Sequence, residues 1–312
     1  MSSLARRLTI TDVALAASVS VATVPKVING RDGIATATSA GVLGVVQELG
    51  YESSLVARSL RSRRTRVIGI LVAEFEPFSA EILKGAGWER RYLSRLSGTL
   101  IDGATIVTPT VVDADAGVPV VAIDPHAGSA DLPSVESDNL AGGLLATRHL
   151  IELGHRRIAF MAGRPDLESS RLREAGFRQA LSEAGIEVDP SLVRRSDYRR
   201  DAAHQPAIEL LSRPNRPTAV FAGNDLSAIG TMEAAQEMGL YLPGDVSVIG
   251  FDDIPEAART TPALSTVRQP IQQMGSAAVE LLIALMDGRI PETTHVRLPT
   301  SLVIRGTTAP PR

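Results

Sequence analysis

The chain has no cysteine. This excludes a disulfide scaffold, a thiolate zinc site and thiol catalysis, and it fits a reducing compartment. Long hydrophobic runs are missing too: no stretch approaches the roughly 18 apolar residues of a membrane span. The opening residues MSSLARRLTITDVA lack the apolar centre of a secretory signal, so the expected location is the cytoplasm. Histidine is scarce, with five residues in all. The nearest pair, His149 and His155, misses the i,i+4 spacing of a helical metal pair. No Gly-x-Gly-x-x-Gly follows the first apolar run of the body, and no phosphate-loop motif occurs. Carboxylates near a cleft would suit a glycosidase, but no acid/base pair is distinguished by spacing. The expectation is a protein without catalysis, cofactor or metal.

What is present reads as globular. The 312 residues are 44% apolar and 21% charged, about two domains' worth of chain. The net charge of −3 hides an asymmetry. Residues 1–66 carry nine Lys/Arg against four Asp/Glu, and the rest carries 23 against 31. A basic head on an acidic body predicts that the head alone meets a polyanion.

Residues 9–50 read as three short helices with a tight break between the first two, the geometry of a helix-turn-helix. Thr11 is the expected cap of the first helix and Ser20 of the second. Pro25 falls inside the second helix, in VSVATVPKVING. An amphipathic piece and a basic run follow, SSLVARSLRSRRTR. From Val67 short apolar runs recur, as in strands covered on both faces: VIGILVA, GATIVTP, VPVVAID, RIAFMAG, TAVFAGN and VSVIGFD. Helical patterns separate most of them, at 139–153, 170–184, 202–212, 225–239 and 271–286. Alternation of this kind predicts an α/β body with parallel sheets, large enough for two lobes. LSTVRQP and VRLPTSLVIRG add late extended pieces.

These stretches are collinear with a known pattern. TITDVALAASVSVATVPKVING, VQELGYESSLVARSLRS, HLIELGHRRIAFMAG, RLREAGF, PTAVFAGNDLSAIG, LPGDVSVIGFDDIP and TPALSTVRQP together resemble the lactose/galactose-repressor (LacI/GalR) family of bacterial transcription regulators. The resemblance implies a small all-α helix-turn-helix head at 1–52, a hinge helix and linker at 53–66, and a two-lobed, periplasmic-binding-protein-like α/β body at 67–312. It implies a homodimeric repressor that binds a palindromic operator in DNA. A small effector, often a sugar, would modulate its affinity.

By position in the motifs, the resemblance implies base reading by Val21 and Ala22, which offer only apolar contact, for example to a thymine methyl. Lys26 would reach a base edge or a phosphate, Thr11, Thr23 and Asn29 would support DNA contacts, and Ala57, Arg58 and the wedging Leu60 would serve the minor groove. For the effector it implies Phe78, Asp138, Arg173, Asn224 and Asp252, with Phe177 and Phe251 as further apolar platforms. Asp138, Asp225 and Asp252 read equally as caps or turns, Arg173 as a surface ion-pair residue, and His155 as a helix-end residue.

The chain also departs from the family. Pro25 stands where Ser is usual, and an interior proline costs about 3 kcal/mol. Gly41 and Gly44 weaken the third helix by about 0.5–1 kcal/mol each. After about residue 87 the N-terminal lobe looks shortened by roughly 20–30 residues, judged from usual βαβ lengths. An edge strand and part of a helix would then be missing, leaving apolar surface exposed. Alternative readings are a solute-binding protein and a regulator impaired in DNA binding that keeps only its ligand.

Overall fold

A computed structural model describes residues 9–28, 33–49, 67–72, 77–85, 101–108, 118–125, 132–289 and 291–312. The chain divides into two compact units, residues 1–66 and 67–312.

In the first unit, α1 (Ile10–Ala16), α2 (Thr23–Ile28) and α3 (Thr36–Glu48) close on Val13, Ala14, Val24, Val27 and Val42, all buried. The cap of α1 is Thr9, not Thr11. The Thr9 hydroxyl accepts from the Asp12 amide, while the Thr9 amide donates to the Asp12 carboxylate at 2.7 Å. This reciprocal pair satisfies two helix-end donors, which leaves Thr11 exposed within the first turn. Between α1 and α2 the chain reverses at Ser18, whose φ of 51° lies in the left-handed region.

The second unit holds two sheets. In chain order its elements are β1 (Ile68–Val72), α4 (Pro77–Gly85), β2 (Gly103–Val107), β3 (Val120–Ile123), β4 (Ser134–Ser137), α5 (Asn139–Glu152), β5 (Ile158–Ala162), α6 (Glu168–Glu183), β6 (Val193–Arg195), α7 (Arg200–Leu211), β7 (Ala219–Ala222), α8 (Asp225–Glu237), β8 (Ser247–Asp252), β9 (Ser265–Arg268), α9 (Ile271–Met286), β10 (His295–Leu298) and β11 (Ser301–Val303). The N-lobe sheet runs β1-β2-β3-β4-β10, parallel throughout. Met274, Ala278 and Leu282 of α9 bury against Val121, Ile123 and Val135 of this sheet. The C-lobe sheet runs β11-β9-β8-β7-β5-β6, with only β11 antiparallel. Its faces are filled by Phe160, Phe177 and Phe221 on one side and by Met161, Val220 and Met232 on the other.

Chain order and sheet order together define three crossings between the lobes: β4 into α5, β9 into α9, and β10 into β11. The late piece VRLPTSLVIRG is therefore two strands in two different sheets. Two strands have no sequence counterpart in the apolar pattern. β4 alternates Ser, Val, Glu and Ser, and β6 is three residues at a sheet edge. Among the described residues β1 forms the N-lobe edge, and Leu71 on it is 53% exposed. The segments around 87 and between β2 and β3, where shortening is expected, fall largely outside the described residues.

His155 closes the end of α5, as expected, its amide donating to the Leu150 carbonyl at 3.1 Å. It is buried, with Nδ1 2.9 Å from the Thr218 hydroxyl and Nε2 2.9 Å from the Ala309 carbonyl, so it pins the C-terminal tail to the C-lobe. Burial lowers its pKa, partly opposed by the Ala309 hydrogen bond and aided by His149. A histidine depressed in the folded state binds fewer protons there than in the unfolded chain. Its contribution to stability is complete above about pH 6.5 and fades as pH falls below that value. Asp124 and Asp225 are raised by burial and act in the opposite sense. The histidine share is thus the difference between two proteins: the urea midpoint of the wild type should fall more steeply from pH 7.5 to 5.5 than that of His155→Gln. Parallel pH profiles would remove this role.

Candidate DNA interface and effector cleft

In the head, Val24 and Val27 of α2 face the core, which turns Val21, Ala22 and Lys26 outward. Val21 is 46% exposed and lies in the turn just before α2. Ser20 does not cap α2 through its amides. Its carbonyl accepts from the Thr23 amide at 2.9 Å, and its hydroxyl is 2.8 Å from that of Thr23. Pro25 lies in the first turn of α2 rather than in its interior. It is the third residue of α2, among the first amide positions of a helix that have no intrahelical acceptor in any case. The missing N–H therefore forfeits no helical bond, and Val24 before it stays helical and fully buried. The expected cost of about 3 kcal/mol belongs to helix interiors and does not apply here. Asn29, Ala57, Arg58 and Leu60 lie outside the described residues.

In the body, the polar groups gather at the carboxyl ends of parallel strands, where open α/β sheets place ligands. Arg173, on α6, is 2% exposed and is not a surface ion-pair residue. Its Nε donates to Asn139 Oδ1 at 2.8 Å, and its Nη1 donates to the Gly223 carbonyl at 2.6 Å and to Asp252 Oδ1 at 3.3 Å. Its guanidinium lies 3.8 Å from the centre of the Phe251 ring. Burial works against the charge of Arg173, but Tyr198 and the carboxylates of Asp252, Asp124 and Asp225 more than restore it. Asp252 also accepts from Gln269 Nε2 at 2.6 Å and takes a φ of 114°. Left-handed backbone at a non-glycine residue is strain held by its surroundings, a common mark of ligand sites.

Asp138 caps α5 by accepting from the Ala141 amide at 3.0 Å. Asn224 caps α8, and its Nδ2 donates to the Tyr198 carbonyl at 2.9 Å. Asp138 precedes Asn139, and Asn224 follows Gly223, so each stands next to a group that Arg173 holds. Asp225 is the first residue of α8 rather than its cap. It is fully buried and accepts from the Ile254 amide at 2.9 Å and the Thr266 hydroxyl at 2.6 Å. Asp253 ties Arg268 to Arg305. Phe78 stands apart on α4, partly buried against the N-lobe core. Phe177 belongs to the C-lobe core and Phe251 lies beneath Arg173, so neither is an open platform. The segments that follow β1, β2 and β3 at their carboxyl ends (73–76, 109–117 and 126–131) fall outside the described residues.

Comparison with known proteins decides the family. Residues 9–54 match the lacI family of bacterial regulatory proteins, and residues 147–308 match a periplasmic binding protein-like domain. The HTH-type transcriptional repressor PurR of Erwinia tasmaniensis is 34% identical over 330 residues, covering 96% of this chain and 97% of PurR. The chain belongs to the LacI family. Among solved structures, a lac repressor dimer bound to operator and the anti-inducer ONPF aligns with a TM-score of 0.80 at 28% identity, over 97% of this chain and 100% of the other. A transcriptional regulator CelR–cellobiose complex aligns at 0.68 and 32% identity, again over 97% and 100%. An alignment of 330 positions on a chain of 312 requires gaps in this LacI-family member relative to PurR.

Three residues of the cleft, Asn139, Gln269 and Tyr198, escaped the sequence analysis. Asn139 joins Arg173 to Asp124 of the N-lobe, its Nδ2 lying 3.4 Å from Asp124 Oδ1. Gln269 joins Asp252 to Ser137 across two of the crossings. Tyr198 lies with its ring centre 5.2 Å from the guanidinium carbon of Arg173. A side chain at Gly163 would meet that ring at 2.5 Å. The Tyr198 hydroxyl is buried without a hydrogen bond of standard geometry, and burial raises its pKa against the opposing charge of Arg173. The signals available were slight: Asn139 adjoins Asp138, Gln269 ends an extended run, and Tyr198 sits in an irregular stretch with no periodicity.

Proposed function

We propose that this LacI-family regulator is a cytoplasmic, homodimeric repressor of a palindromic operator, and that an uncharged, polyhydroxylated effector such as a sugar modulates its grip. The domain bounds of the reading are a head at 1–52, a hinge at 53–66 and an effector and dimerisation body at 67–312. Thr11, Val21, Ala22, Thr23, Lys26 and Asn29 would meet the major groove and its phosphates, with Ala57, Arg58 and Leu60 in the minor groove. Asp138, Arg173, Asn224 and Asp252 would hold the effector, with Phe78 on the N-lobe side.

One observation carries the reading: Arg173 is tied both to Asn139 at the first crossing and to Asp252, which Gln269 links to the second. A ligand that competes for these groups acts on the segments that set one lobe against the other. Allostery requires two sites that bias one shared element between two arrangements, and the crossing segments would be that element. The charge balance supports a neutral ligand. The Nε and Nη1 of Arg173 are already engaged, and Asp124, Asp225 and Asp252 all act on it. A phosphorylated or carboxylated ligand would have to compete with Asp252 for the guanidinium.

No helix among the described residues is long and apolar enough to cross a membrane, and no metal-binding cluster occurs among them. The test titrates the full chain against operator selected from random duplexes, at two salt concentrations, with and without a panel of neutral sugars and their phosphates. Tight, sequence-selective binding altered by a neutral sugar is the expected result. Only weak, salt-sensitive, sequence-blind binding would defeat the regulator reading and favour a ligand-binding remnant.

A further inference from the structure

Val21 is not part of the head core that Val24 and Val27 of the neighbouring helix build, and Ala22 beside it is exposed as well. Neither side chain carries a hydrogen-bond donor or acceptor. The hydroxyls on either side, of Ser20 and Thr23, face each other at 2.8 Å. The surface presented at the entry to α2 is thus a small apolar step on a head with a net charge of +5 from nine basic and four acidic residues. In the major groove a base pair offers acceptors, donors and one apolar group, the C5 methyl of thymine.

We propose that Val21 and Ala22 sense the pyrimidine C5 methyl as such, so that 5-methylcytosine replaces thymine at the contacted position and operator affinity responds to cytosine methylation. The inference rests on the operator-binding reading above. Thymine and 5-methylcytosine share the methyl and differ at position 4, where one accepts and the other donates a hydrogen bond. An apolar side chain is indifferent to that difference. Uracil and cytosine lack the methyl and leave Val21 facing water. One buried methyl corresponds to about fourfold in affinity, and two half-sites of a palindrome to about fifteenfold.

The test uses the full chain and a selected operator. Each thymine in turn is replaced by deoxyuridine in both half-sites. At any position that weakens binding, the T·A pair is then replaced by 5-methylcytosine·G and by C·G. The expected order is thymine equal to 5-methylcytosine, both about fifteenfold tighter than uracil and cytosine. Val21→Ser should flatten the order while leaving the head folded, because the residue lies outside its core. An intact operator complex with no uracil-sensitive position, or with 5-methylcytosine no better than cytosine, overturns the methyl inference alone. Failure to select any operator overturns the regulator reading, and the inference with it.

Discussion

Arg173→Met should destabilise the body by about 3–5 kcal/mol, the range for removing one partner of a buried ion pair. The reason is the partners left behind. Asp252 is 6% exposed and would lose the Arg173 guanidinium while keeping Gln269 as a donor. The Gly223 carbonyl and Asn139 Oδ1 would lose their donors in buried surroundings. Methionine fills the volume over Phe251 but supplies none of the five N–H groups of a guanidinium. Arg173→Lys tests the same point more gently. A point charge reaches one acceptor where the fork reaches three, so the loss should be intermediate, with effector response abolished in both variants. Urea unfolding followed at Tyr and Trp, together with the change in operator affinity on adding the effector, measures the two properties separately. A loss under about 1 kcal/mol for Arg173→Met would mean that this network adds little to holding the lobes.

That network shows where sequence legibility ends. The alternation of apolar runs and helical patterns announced a parallel α/β body, because strands covered on both faces read as continuous hydrophobic stretches. Arg173, Asp252, Asp138 and Asn224 were reachable through motif position. Their roles were not, because the same residue types serve as caps, and here Asp138 and Asn224 do cap α5 and α8. β4 was invisible since a four-residue strand with two serines has no hydrophobic period, although Ser134, Val135 and Ser137 are all buried. Tyr198 was invisible for a different reason. Its φ of 64° and that of 50° at Asp197 belong to an irregular bend set by tertiary contacts. Pro25 was misjudged through a shift of helix origin: α2 starts at Thr23, so a residue counted as interior falls in its first turn.

The weakness of the head lies elsewhere, and repairing it should give the second large effect. Ser18→Gly combined with Gly41→Ala and Gly44→Ala should raise head stability by about 2–3 kcal/mol. Ser18 is exposed and holds a left-handed backbone that an L side chain adopts at a cost and glycine adopts freely. Gly41 and Gly44 lie within α3, and a methyl group at either meets nothing within 4 Å. Alanine there restricts the unfolded chain without crowding the folded one. Pro25→Ser is the contrasting variant. Since Pro25 forfeits no helical bond, restoring serine should change head stability by less than about 1 kcal/mol. Hydrogen exchange at the amides of α1 and α3 in the full chain reads the local free energy directly. A gain from Pro25→Ser exceeding that of the triple variant would return the proline to the helix interior. With Pro25 near neutral and the triple variant stabilised, the operator affinity of the triple variant should rise as well, because a larger fraction of heads is folded and competent to bind.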